Sequence, residues 1–191
     1  MKRLLITLFM LFSLSFTPSF ADIDEIKLSA EQGDANAQIE LGLAYHLGIG
    51  VHQDYAEAVK WYRLSAEQGN ADAQYRLGLA YDYGYGVRQN DVEAVKWYRL
   101  SAEQGNSVAQ FDLGVAYVNG EGVRQDFTKA VKWFSLSAEQ GYAEAQFYLG
   151  VAYENGYGVR QNYTEAKEWF GKACDNGLQK GCDDYRELNN Q

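Results

Sequence analysis

Proline is all but missing: the 191 residues contain one, Pro18. From residue 19 onward no proline breaks a helix or marks a proline-rich linker. Histidine is scarce too, at two residues. His46 and His52 form a His-x5-His pair with no third or fourth ligand of the right type nearby, so no metal site is expected. No apolar run reaches the roughly 20 residues of a membrane-spanning helix. No Gly-x-Ser-x-Gly and no Ser-x-x-Lys occurs, which leaves no recognisable serine nucleophile. Basic residues are in the minority, 17 against 26 acidic ones, for a net charge of −9. Such a surface repels nucleic acid and anionic lipid and suits basic or neutral partners, although the same charge also simply keeps a protein soluble.

What is present begins with a leader-like segment. Lys2 and Arg3 precede an apolar run from Leu4 to Phe16, and Ser19-Phe20-Ala21 supplies small residues at cleavage positions. A signal peptide over 1–21, cut after Ala21, is expected; an uncleaved anchor is the alternative, for which the run is short. Cleavage leaves 15 basic and 26 acidic residues, a net charge of −11. The protein is then periplasmic or secreted, with no stable membrane insertion.

The remaining chain is 36-residue self-similarity. Gly33, Gly69, Gly105, Gly141 and Gly177 mark the period and delimit four units, 34–69, 70–105, 106–141 and 142–177, between segments 22–33 and 178–191. Thirteen columns are identical in all four units; in the second these include Ala73, Gln74, Leu77, Gly78, Tyr81, Gly84, Gly86, Val87, Ala94 and Trp97.

Each unit reads as two helices. Helix A of the second unit spans about 71–83, with apolar or small residues near a 3.6-residue period. Helix B spans about 91–104, with Ala94, Trp97, Tyr98, Ser101 and Ala102 on one stripe. Asp54, Asn90, Asp126 and Asn162 are N-cap candidates for helix B. Glu57, Glu93 and Glu165 follow at capping-box spacing, whereas Lys129 predicts a weaker third cap. The period-marking glycines suit left-handed positions closing helix B. A glycine inside helix A in every unit (Gly42, Gly78, Gly114, Gly150) implies close helix contact, read here as the crossing point of helix B and its Trp. The Gly-x-Gly-Val loops follow no strand and precede no Lys-Ser/Thr pair, so they are turns, not phosphate cradles.

The pattern Ala-Gln-x-x-Leu-Gly-x-x-Tyr-x-x-Gly-x-Gly-Val, then an N-cap, Ala-x-x-Trp-Tyr/Phe and a closing glycine, resembles the Sel1-like repeat family, related to tetratricopeptide repeats. The resemblance covers about 27–185. It implies an all-α, right-handed α/α superhelical solenoid with helix A on the concave side, and a non-catalytic adaptor or scaffold at the cell envelope. Independently, one helix pair cannot bury its own apolar face, but stacked pairs can. Segments 22–33 and 178–191 then read as half-repeat caps.

Cys174 and Cys182 resemble the bridge of the cysteine-rich Sel1-like subfamily, implying a disulfide that pins the C-terminal cap in an oxidising compartment. A redox-active pair is the alternative. Some members of that subfamily are associated with penicillin binding or β-lactamase activity, so a cell-wall-directed enzyme or peptidoglycan-associated factor is the alternative function. This chain has one such cysteine pair, not one per unit.

If helix A lines the concave side, its divergent columns form the binding face for a protein or peptide. They are Asn36, Glu40, Leu43 and Leu47; Asp72, Arg76, Leu79 and Tyr83; Val108, Asp112, Val115 and Asn119; and Glu144, Tyr148, Val151 and Asn155. The other reading leaves them as unconstrained solvent-facing positions. Tyr85, Glu121 and Tyr157, with Arg88, Arg124 and Arg160 beyond them, form a second candidate surface; the arginines are expected to pair with the chain's own carboxylates. No cofactor and no catalytic residue is expected, and a monomer is.

Overall fold

The computed structural model describes residues 23–190; the leader and its expected cleavage site lie outside them. The described residues form α1 (Ile23–Glu31), α2 (Ala35–Leu47), α3 (Tyr55–Glu67), α4 (Ala71–Tyr83), α5 (Asp91–Glu103), α6 (Ser107–Asn119), α7 (Phe127–Glu139), α8 (Ala143–Asn155), α9 (Tyr163–Asp175) and α10 (Gln179–Asn189), with no strand among them. Each helix packs on its neighbours in sequence, which is the arrangement of a solenoid. Helices α2, α4, α6 and α8 are the A helices and α3, α5, α7 and α9 the B helices.

The core comes from the recurring columns. Leu41, Leu77, Leu113 and Leu149 are fully buried, each worth about 1.5–3 kcal/mol relative to exposure. The B-helix stripe of Ala94, Trp97, Tyr98, Ser101 and Ala102 is buried, joined by Val95. The glycine inside helix A is required by close approach, but not to the Trp. A Cβ on Gly78 would lie 2.5 Å from the Tyr98 ring, and Tyr62, Phe134 and Phe170 cover the equivalent glycines. The Trp packs on other elements: Trp61 lies against the core of α1 and α2, and Trp97 joins the core built from α3 and α4. The second loop glycine is also more than a turn residue. A Cβ on Gly86 would overlap the Tyr55 carbonyl of the preceding unit, and Gly122 and Gly158 meet Asp91 and Phe127 in the same way.

Helix B is capped as the sequence suggests, by Asp54, Asn90, Asp126 and Asn162. The capping boxes are not closed, however. The cap residues' own N–H groups donate to the carbonyls of Tyr45, Tyr81, Tyr117 and Tyr153. Glu57 and Glu93 instead pair with Lys60 and Lys96. In the third unit Asp126 accepts from the Lys129 N–H and also meets the Lys129 ammonium at 3.4 Å, so Lys129 supplies a different cap contact.

Polar groups tie the helices together within and between units. Gln110 donates to the Ala102 carbonyl at 3.0 Å and accepts from Gln140 at 2.8 Å, and Gln38, Gln74 and Gln146 repeat the pattern. Ser65, Ser101 and Ser137, read from sequence as stripe residues, each donate to the carbonyl at the start of their unit's A helix. At the C-terminal end Cys174 and Cys182 are joined in a disulfide. Arg186, at the helix A glycine column, is exposed and bonds to Asp183.

Candidate recognition groove

The first two boundaries between units each leave a cavity between the helix B of one unit and the helix A of the next, lined at its base by the tyrosine that covers the helix A glycine, Tyr62 or Tyr98. The scaffold at each boundary is the same; the lining is not.

At the first boundary, His46, Tyr55, Tyr62, Arg76, Tyr83 and Tyr85 surround a cavity of about 150 Å³. His46 meets Tyr55 edge-on at 5.1 Å between centroids, and Tyr85 stacks on Tyr55 at 5.3 Å and on Tyr83 at 5.6 Å. Tyr62 is 2% exposed, and its buried hydroxyl makes no well-formed hydrogen bond; the nearby Arg76 guanidinium is the polar group acting on it. Burial raises the Tyr62 pKa, against the opposing field of the nearby Arg76 guanidinium. Burial, and then Arg76, hold the His46 imidazole below its ordinary value, leaving it neutral at pH 7.

At the second boundary the same columns are acidic. Asp82, Asp91, Asp112 and Glu121 line an open cavity of about 330 Å³ with Tyr83 and Tyr98. The Tyr98 hydroxyl donates to Asp82 at 2.9 Å and the Tyr75 hydroxyl to Asp112 at 3.0 Å. Burial pushes the Asp112 carboxyl up to about 6; the Tyr75 hydrogen bond opposes that and the charge of Asp82 adds to it. Burial raises Asp82 as well. At the third boundary the space is taken by a ring of the chain itself. Tyr148 packs on Phe111 at 5.4 Å and on Phe134 at 5.5 Å.

The divergent helix A residues therefore do not form one uniform face. Arg76 and Tyr83 come together in the first cavity, and Tyr83 also borders the second with Asp112. Asp112 is half-buried and engaged by Tyr75, not an exposed acid. Asn36 and Asp72 are exposed but accept from Asn70 and Asn106, the residues that cap the following A helices. Glu40 and Glu144 are exposed on α2 and α8. Asn119 donates to Glu121, and Asn155 to the Val151 carbonyl. Sequence reasoning missed His46, Tyr55 and Tyr62 as wall and floor of a cavity. In the sequence His46 stands out only as half of a His-x5-His pair, and Tyr62 sits in a column that reads as core. On the loop edge, Arg88, Arg124 and Arg160 are exposed, and the expectation that they pair with carboxylates is not met: none joins an ion pair among the described residues.

The ten described helices, packed in sequence, define an all-α solenoid of helical repeats. The Sel1 repeat family matches residues 35–70, 71–106, 107–142 and 143–178, and the chain belongs to that family, whose members are generally protein–protein interaction scaffolds. No curated protein gives a significant match. Among solved structures, c5321, a protective antigen of uropathogenic Escherichia coli, is 44% identical with a TM-score of 0.82 over 84% of this chain and 34% of its own. A Sel1 repeat protein from Oxalobacter formigenes is 35% identical with a TM-score of 0.81 over 87% of this chain and 48% of its own. This chain thus spans about a third to a half of those two proteins. Helicobacter pylori cysteine rich protein B, 23% identical with a TM-score of 0.55 over 69% of this chain and 94% of its own, shares the fold.

Proposed function

We propose that the chain is a non-catalytic recognition module of the cell envelope, a monomer that holds a segment of a partner protein against its A-helix face. The observation that carries this reading is the contrast between boundaries: identical scaffold columns enclose an aromatic and cationic cavity at the first, carboxylates at the second and a self-filled space at the third. The shared columns satisfy the packing, and divergent residues at the first two boundaries line open cavities, which supports a recognition role. Tyrosine and arginine, concentrated at the first cavity, are the side chains most often found as interface anchors. The leader-like N-terminus and the disulfide support export, since disulfides persist in oxidising compartments. Among the described residues no helix is long and apolar enough to cross a membrane.

Site-directed photo-crosslinking in the native host tests this reading. A benzoylphenylalanine at Tyr83 or Asn119 is expected to yield one discrete protein adduct, and the same probe at Glu67 or Glu103, exposed on the B helices, none. Adducts from the B-helix positions alone would overturn it.

A further inference from the structure

We infer that the cavity between the first two units is a pocket for an aromatic or bulky apolar side chain of the partner with a carboxylate beside it, the carboxylate being held by Arg76. The inference rests on the groove reading above and adds the chemistry of what enters.

The walls set the apolar half of the ligand. A cavity of about 150 Å³ enclosed by His46, Tyr55, Tyr62, Tyr83 and Tyr85 has room for one ring or one branched aliphatic group. Tyr83 is 62% exposed and Tyr85 43% exposed, and together with Tyr55 they make a stacked aromatic rim. Such a rim is large and amphipathic and loses little conformational freedom on binding.

The charge sets the other half. Arg76 is half-buried and joins no ion pair among the described residues, although the chain carries a net charge of −9. The chain's other helix-borne, half-buried arginines donate well-formed hydrogen bonds, Arg63 to the Tyr81 hydroxyl and Arg99 to the Tyr117 hydroxyl, whereas Arg76 only approaches the Tyr62 hydroxyl. A guanidinium in a partly desolvated aromatic pocket favours an anion there and disfavours the cation that an aromatic box alone would attract.

The Tyr62 hydroxyl is the second polar handle. One unit later the equivalent Tyr98 hydroxyl is satisfied by Asp82; the matching position beside Tyr62 is His46, and the Tyr62 hydroxyl, buried in the cavity wall, has the Arg76 guanidinium near it and makes no well-formed hydrogen bond. Phe134 and Phe170 at this column show that the fold needs only the ring. A buried hydroxyl without a good partner is unfavourable. Its place beside Arg76 fits a hydroxyl that helps hold the guanidinium toward an arriving carboxylate.

The test uses the full chain and a random peptide library displayed on phage, followed by fluorescence anisotropy on the enriched peptides. The expected consensus places Asp or Glu next to Phe, Tyr, Trp or Leu. Arg76→Glu is expected to weaken binding about tenfold or more, and replacing the peptide's acid by Lys to recover binding to that variant. Tyr62→Phe is expected to weaken binding about threefold while holding or raising the melting temperature, a split that a purely structural hydroxyl would not give. If the peptides lack an acid, or ignore Arg76→Glu yet respond to Asp91→Asn or Glu121→Gln, the pocket assignment falls and the groove reading stands. If no peptide enriches, or none responds to any of these substitutions, both fall.

Discussion

Cys182 is bonded to Cys174 at the two positions where, one unit earlier, Gln146 donates to the Ala138 carbonyl. The same pair of columns is bridged by Gln38 to Ala30, Gln74 to Ala66 and Gln110 to Ala102. Between α9 and α10 a covalent bond replaces the recurring hydrogen bond.

Reduction should therefore loosen one helix and leave the stack folded. Loop-closure entropy for so short a loop gives about 2.5 kcal/mol. Hydrogen exchange under reducing agent is expected to speed up in α10 and stay unchanged in α2 through α7. The pair Cys174→Ala and Cys182→Gln, which recreates the earlier boundaries, should recover about 1 kcal/mol of the loss in urea unfolding.

Asp112 makes stability depend on pH. Its folded carboxyl is pushed up to about 6, above the ordinary value of 3.8, so the folded state holds its proton more tightly than the unfolded chain. This contribution is fully present below about pH 4 and lost as pH rises through about 6. Asp112→Asn keeps an acceptor for Tyr75 and removes the charge. Relative to the unaltered chain it should gain about 2 kcal/mol between pH 4 and pH 7, measured by urea unfolding at the two pH values. A constant difference would mean that Asp112 titrates normally.

Gly78→Ala should destabilise despite alanine's better helix propensity. The propensity gain is about 1 kcal/mol. Against it, the new Cβ would lie 2.5 Å from the ring of Tyr98, which is 4% exposed and tied to Asp82. Overpacking of this kind costs about 1–3 kcal/mol, so a lowered melting temperature is expected.

Gln110→Leu should cost about 2 kcal/mol in chemical denaturation although leucine is of similar size. It leaves the Ala102 carbonyl and the Gln140 amide without their partner at a position that is 4% exposed.

The helix pairs and their period were legible in the sequence because stacking forces the same residues into every unit; Leu77 and Ala94 recur for that reason. The glycine of helix A was legible as a close contact, but its partner was not. Trp97 and Tyr98 are adjacent on one stripe, and only the rotation of helix B decides which ring lies over Gly78. The glutamine ladder was visible as an invariant column without its role, because its partners lie on other helices, such as the Ala102 carbonyl and the Gln140 amide for Gln110. The pockets were the least legible. Arg76 and Tyr83 stand out as divergent helix A residues, but their cavity is completed by His46 and Tyr62 from the preceding unit, and periodicity within a helix cannot pair residues across a boundary. Tyr148 shows the converse: it diverges like a binding residue and packs against Phe134 instead.

The central claim is that shared columns build the stack while the divergent residues at its first two boundaries read a partner. Hydrogen–deuterium exchange of the full chain, free and bound to its crosslinked partner or an enriched peptide, tests it most directly. Protection concentrated in 43–47 and 76–85 is the predicted result. Protection confined to the outer faces of α3, α5 and α7, with those segments unchanged, would contradict it.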